Sequence, residues 1–323
     1  MPPFSGPIDR DAIIRWIEAN PIEGSPEAMR EAFARLALGE DRDPYDEPGG
    51  ATVLDSPVIE TRRGVGSLTV LPALTPEQIG SVGGGERYAP DRMIVWFHGG
   101  GYVFGSPETH ARPAARLATL ARSPVLLPRY RLAPEATWPT PLNDALAVLR
   151  PLLALGVRIV LAGDSAGGHL ALVAALEMAK GGTPVHGLVL CAPNTDRTGL
   201  SGTRERMTPL DPMNADEDDR SLARMMFGDM PHDHPQVSPV LQDLARLPPT
   251  HVEVGDPEVL LGDSVILHKR ARRAGIDLSL HVEADFLHMG QLWTPWWRPA
   301  DRSLERCAAH VRRCLGLVDQ GPI

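Results

Sequence analysis

The sequence predicts an α/β protein built on a mostly parallel, doubly wound sheet of eight strands, flanked by helices. Three observations carry that expectation. From residue 51 onward, short β-rich runs alternate with helical ones, the rhythm of parallel strands joined by crossover helices. Several runs, such as Met93–Phe97 (MIVWF) and Val125–Leu127, are continuously apolar, as strands covered on both faces must be. The 323 residues are 43% hydrophobic and 23% charged, which suits one large core with an appendage and not a disordered or fibrous chain.

Taken in order, residues 8–38 read as two amphipathic helices. Ile8, Ile13, Ile14 and Ile17 recur at helical spacing, and the stretch Pro21 to Pro26 breaks the run. Ala28 to Leu38 then carries Phe33, Leu36 and Ala37 on one face before Gly39 stops it. The polar EDRDPYDEPGG (40–50) is a connector, so residues 1–48 form a helical cap arm expected outside the main core. The first part of the core spans 49–195. It opens with an antiparallel pair, 52–60 and 66–71, and continues with strands at 93–97, 125–127, 157–162 and 185–191. Between Asn194 and Val240 no strand is convincing; connections of this length commonly form lids or binding loops. Residues 196–238 are therefore read as a cap insertion with one helix over 216–227. The second part of the core, 239–323, supplies strands at 251–255 and 278–283. Helices are expected at 108–121, 141–155, 167–180, 263–274 and 300–315.

Charge and cysteine usage narrow the partners. The net charge of −9 disfavours nucleic acid and anionic lipid and leaves neutral small molecules as the easier ligands. No run reaches the ~18 apolar residues of a membrane span, and the first twenty residues alternate charge with apolar side chains, unlike a signal region. Cys191, Cys307 and Cys314 form an odd set without metal-ligand spacing. Reduced thiols in the cytoplasm are the simplest reading.

The chemistry is signalled by Gly163-Asp164-Ser165-Ala166-Gly167, which follows the strand VRIVLA and precedes the helical run GHLALVAALEMAK. A G-x-S-x-G pentapeptide in that strand–turn–helix context is a nucleophile elbow: the turn is so sharp that its flanks need small residues, and the serine hydroxyl stands clear of the sheet. A second, independent signal is His98-Gly99-Gly100-Gly101 at the end of MIVWF. Acyl transfer develops an oxyanion, and preorganised backbone N–H donors can lower that barrier by about 3 kcal/mol each. Gly100, Gly101 and Ala166 are assigned to that oxyanion hole. A phosphate-binding loop would need a Walker lysine or G-x-G-x-x-G at a helix start, and HGGGYVFG has neither. In the fold that carries such an elbow, an acid and then a histidine follow the serine on loops after strands. His288, just after the last expected strand, and Asp256, after HVEVG, fit that order and place. Asp285, three residues before His288, is the rival acid but is too local to reach the outer ring nitrogen.

With these pieces in register, the chain resembles the hormone-sensitive-lipase family of bacterial carboxylesterases, within the α/β-hydrolase superfamily. The resemblance rests on HGGGYVFGS (98–106), YRLAPE (130–135), GDSAGG (163–168), DPEVLLGDS (256–264) and FLH (286–288). It implies an α/β-hydrolase core under a helical cap, short-acyl carboxylesterase activity, and a triad of Ser165, Asp256 and His288. Two departures bear on the acyl pocket: His288-Met289-Gly290 where the family has His-Gly-Phe, and His169 where Asn is common.

The expected function is a serine carboxylesterase acting on short- to medium-chain esters through an acyl-enzyme, with no cofactor or metal. A lactone or amide hydrolase on the same triad, and more remotely a non-catalytic small-molecule receptor, are the alternatives. Tyr102, Phe104, Met289, Trp293, Met213 and Phe227 are candidates to line the substrate pocket, although ordinary packing explains Trp293 and the Met-rich segment equally well. His169 is expected to pack rather than touch substrate. His232 and His234 lack neighbours for a metal site, and the acidic run 216–219 is expected to be a solvated helix start. A homodimer is the assembly the resemblance suggests.

Overall fold

A computed structural model describes residues 4, 6–39, 52–55, 66–71 and 91–317. The connector at 40–50 and the second half of the expected strand 52–60 lie outside the described residues. The strands are β1 (Thr52–Asp55), β2 (Ser67–Leu71), β3 (Arg92–Phe97), β4 (Val125–Pro128), β5 (Arg158–Asp164), β6 (Gly187–Cys191), β7 (Thr250–Gly255) and β8 (Leu278–Glu283). They form one sheet in the order β1-β2-β4-β3-β5-β6-β7-β8. β1–β2 and β2–β4 pair antiparallel and every other neighbouring pair is parallel.

The helices are α1 (Arg10–Ala19), α2 (Pro26–Leu38), α3 (Ala111–Ala121), α4 (Thr140–Ala154), α5 (Ser165–Lys180), α6 (Arg204–Met207), α7 (Asp216–Phe227), α8 (Leu261–Arg273) and α9 (Arg298–Leu315). Strand alternation assigns them to faces. Ile94 and Trp96 of β3 and Val160 and Ala162 of β5 point to one side, where Leu117 of α3 and Leu304 of α9 cover them. Their neighbours Met93, Val95, Ile159 and Leu161 point to the other, against Leu149 of α4, Leu170 of α5 and Leu267 of α8. Each such buried aliphatic side chain stabilises the fold by about 1.5–3 kcal/mol, and the continuous apolar runs follow from two covered faces.

α1 begins where the Asp9 carboxylate accepts from Ala12 N–H at 2.8 Å. α2 begins where Ser25 Oγ accepts from Ala28 N–H at 3.3 Å, with Pro26 in its first turn. The arm does not stand outside the core as expected. Ile13, Ile17, Phe33 and Leu36 are buried in the same cluster as the α4 and α5 face. Arg30 fastens it further, donating to the carbonyls of Val103 and Ala133 at 2.9 Å each and pairing with Glu135.

Candidate active site

The expected chemistry converges at the C-terminal ends of neighbouring parallel strands, where open α/β sheets place ligands. β5 runs to Asp164, and α5 starts on Ser165 itself. Ser165 has φ +52°, and the flanking glycines show why the pentapeptide is small. A Cβ on Gly163 would lie 2.3 Å from Gly167 O, and one on Gly167 would lie 2.0 Å from Phe97 O. The elbow therefore closes only with glycine at both positions.

His288, on the loop after β8, puts Nε2 3.0 Å from Ser165 Oγ. Its Nδ1 donates to Glu258 Oε2 at 2.7 Å. This corrects the expected acid: Glu258, not Asp256, faces the histidine. Asp256 N–H is still spent on the sheet, donating to Glu283 O at 3.1 Å. The exposed Asp256 carboxylate accepts from Asp285 N–H at 2.8 Å, capping the turn that leads to His288. Two residues later the chain has turned inward, and Glu258 is buried with Oε1 accepting from Gly255 N–H at 2.5 Å. Its extra methylene gives it the reach to Nδ1. The rival, Asp285, is exposed and at φ +54° forms the turn itself. The only clue in DPE was that a second acid followed the first.

Electrostatics favour a charged imidazole here. Burial pulls the His288 pKa down, but the hydrogen-bonded Glu258 outweighs it, helped by Asp211 and Asp164, so the value stands above the ordinary one. Burial raises the Glu258 carboxyl, against the pull of His288. Asp164 is buried too, yet His110 at 3.1 Å and the Trp96 Nε1–H at 2.8 Å hold its carboxyl below the usual value.

The glycine loop lies beside the serine. Gly100 (φ +112°) and Gly101 (φ +59°) adopt backbone that favours glycine. A Cβ on Gly100 would sit 2.3 Å from Phe104 O, and one on Gly101 2.4 Å from Leu222 Cδ1. Gly100 O accepts from the N–H groups of Val103 and Phe104 at 3.0 Å each, which curls the loop over. His98 anchors its start: the ring stacks on Tyr130 at 4.3 Å and pairs with Gly99 O at 2.8 Å.

Ser165, His288, Gly100 and Gly101 open onto a cavity of ≈130 Å³ that Phe104, Met213 and Met289 also line, as expected. Ile22 and Met29 from the arm, and Asn214, Asp218, Asp219, Ser221 and Leu222 from residues 196–238, complete its walls. No periodic signal pointed to those contacts, because they join segments far apart in sequence. Three expected lining residues are elsewhere. Tyr102 is fully buried, its hydroxyl 2.6 Å from His169 Nδ1. Phe227 packs on Trp138 at 5.3 Å between ring centroids. Trp293 is fully buried against Phe4 at 6.0 Å. A larger cavity of ≈300 Å³, bounded by Arg197, Arg224 and His232, lies on α7; Phe227 lines it, but Ser165, His288 and the glycine loop do not.

His169 packs as expected, and burial, then Arg197, lowers its pKa to about 3. The acidic helix start departs from expectation. Asp216 and Asp219 are buried, and Asp219 pairs with Arg197 at 2.6 Å and Arg204 at 2.8 Å. Of two groups of potential metal ligands among the described residues, neither includes His232 or His234. In one, Glu253 is already held by Arg306 and His251. In the other, Asp211–Glu258–His288, the Nδ1 of His288 is already committed to Glu258.

The sequence model of a family described as alpha/beta hydrolase fold matches residues 94–291. An esterase of the bacterial hormone-sensitive-lipase family superposes with a TM-score of 0.83 at 30% identity, over 95% of this chain and 98% of that one. The chain belongs to the α/β hydrolases, in the bacterial hormone-sensitive-lipase family. An acetyl-hydrolase of Streptomyces hygroscopicus is 33% identical to this hydrolase over 231 residues, 70% of this chain and 77% of that protein. The carboxylesterase/phospholipase LipF of Mycobacterium tuberculosis is 29% identical over 275 residues, 78% and 70% of the two chains. Among the described residues of this hydrolase, no helix is long and apolar enough to cross a membrane.

Proposed function

We propose that this hydrolase cleaves carboxylic esters of short to medium acyl chain through an acyl-enzyme on Ser165. The observation that carries the reading is the continuous chain Ser165 Oγ–His288–Glu258, with bonds of 3.0 and 2.7 Å, beside the curled glycine loop. His288 Nε2 takes the serine proton as Oγ attacks the carbonyl, and Glu258 stabilises the imidazolium. The N–H groups of Gly100, Gly101 and Ala166, the last at the N-terminal end of α5, receive the oxyanion. His288 then protonates the leaving alcohol, and a water that gives its proton to the same nitrogen attacks the acyl carbon and frees the acid. The cavity of ≈130 Å³ is small beside the roughly 300–1,000 Å³ of pockets for drug-sized ligands, which supports short acyl groups.

The arm and residues 196–238 serve together as the cap in this reading, since both line the cavity. Free thiols at Cys191, Cys307 and Cys314 support a reducing compartment such as the cytoplasm, and the family resemblance supports a homodimer. An intact serine–histidine–acid chain argues against a non-catalytic receptor. Lactones and amides use the same groups and are separated by substrate profiling. Hydrolysis of p-nitrophenyl esters from acetate to laurate should peak on the shorter chains and vanish in Ser165→Ala with the fold intact. Undiminished turnover in that variant refutes the reading.

A further inference from the structure

A carboxylate from the cap segment lies behind the triad, and the mechanism above does not use it. Asp211 follows α6 and is buried, 6% exposed. Its Oδ1 accepts from the N–H groups of Met213 at 3.0 Å and Asn214 at 3.1 Å, closing a tight turn. Met213 and Asn214 are walls of the catalytic cavity. Its Oδ2 accepts from Val259 N–H at 3.0 Å, the residue next to Glu258. The potential ligand atoms of Asp211, Glu258 and His288 all lie within 4.8 Å of one another.

We propose that Asp211 is a positioning residue for the triad: it locks the cavity wall to the turn carrying Glu258 and sets a second negative charge beside His288. A tight turn alone would need only a neutral acceptor, as Asn or Ser could provide. The buried carboxylate does more, because an imidazolium in low dielectric is stabilised by each anion near it. The groups facing His288 are Glu258 from the turn after β7, Asp211 from the cap segment, Asp164 from the end of β5 and the Ser165 hydroxyl. Burial raises the Asp211 carboxyl and His288 draws it back, so the two groups sense each other.

The inference rests on the serine-hydrolase reading, so its test uses a probe that needs no substrate identity. Full-length wild type, Asp211→Asn and Ser165→Ala are labelled with a fluorophosphonate across pH, and the rate of modification is followed. Labelling needs neutral His288 and slows as pH falls through its pKa. Removing the Asp211 charge lowers that pKa, so in Asp211→Asn the acid limb should move to lower pH. The plateau rate should fall by roughly tenfold to a hundredfold as the wall and the Glu258 turn lose their common anchor. Asp211→Ser, which keeps an acceptor, gives the same readout if the Asn variant does not fold. A profile identical to wild type overturns the proposal, and so does a lower plateau with an unmoved limb, which would leave Asp211 only structural. Labelling that persists in Ser165→Ala removes the serine reading itself, and this proposal with it.

Discussion

Ser165 holds φ +52°, a conformation that costs a non-glycine residue about 1–3 kcal/mol and persists only where its surroundings over-determine it. Those surroundings are Gly163 and Gly167, each closed against backbone, and Asn194 N–H, which donates to Ser165 O at 3.2 Å. The serine was legible because its constraints are local: five consecutive residues between a strand and a helix. The acid was less legible because its identity depends on where the chain turns after β7. The order serine, acid, histidine allowed either Asp or Glu, and only the pairing of Asp256 N–H with β8 moves the inward position to residue 258. Glu258→Gln should therefore lower kcat by about 10³–10⁴-fold, the scale seen when an orienting carboxylate becomes an amide. Asp256→Asn, which alters only the cap on the Asp285 turn, should stay within about tenfold of wild type. Steady-state kinetics on p-nitrophenyl butyrate checks both, and the reverse ranking would restore Asp256 as the acid.

At the scale of elements, the central strands of the sheet were readable because alternating faces and apolar runs report double coverage. Helix α7 was readable as a helix, but not for what its acids do. Asp216 to Asp219 at a helix start fit the macrodipole whether solvated or buried. Burial is decided by Arg197 and Arg204, some 15 to 22 residues upstream of Asp219. Arg204 donates to Asp219, Asn194 and Asp263 at 2.8 Å each, so it binds α7 and α8 to the segment after β6. Against burial, these two arginines hold the Asp219 carboxyl far below its usual value. Its contribution is thus complete above the unfolded carboxylate range and is lost only as pH falls below that. Arg204→Ala leaves two buried carboxylates short of a partner and should lower unfolding stability by about 3–5 kcal/mol, read as an earlier urea midpoint at neutral pH. A change within experimental scatter would mean that the cluster is not load-sharing.

Over the whole molecule, the cavity is assembled from segments that share no local pattern: Ile22 and Met29, the glycine loop, Met213 to Leu222, and Met289. Sequence reasoning found the members that sit within a few residues of a motif, Phe104 and Met289, along with Met213. It misplaced Tyr102 and left Phe227 and Trp293 open between pocket and packing; all three are large aromatics buried among other side chains. Periodicity identifies a buried face without saying whether it meets the core or a ligand. The arm shows the same ambiguity at larger scale, since its apolar faces were evident and their burial in the main core was not. In the proposed mechanism these pieces serve one reacting atom, Ser165 Oγ, and the claim about it can be tested by trapping the intermediate. Wild-type protein mixed with p-nitrophenyl butyrate, quenched in acid within the burst and digested, should yield a butyryl adduct confined to the peptide containing Ser165. Hydrolysis that proceeds with that peptide unmodified, or an adduct on another residue, would contradict the account.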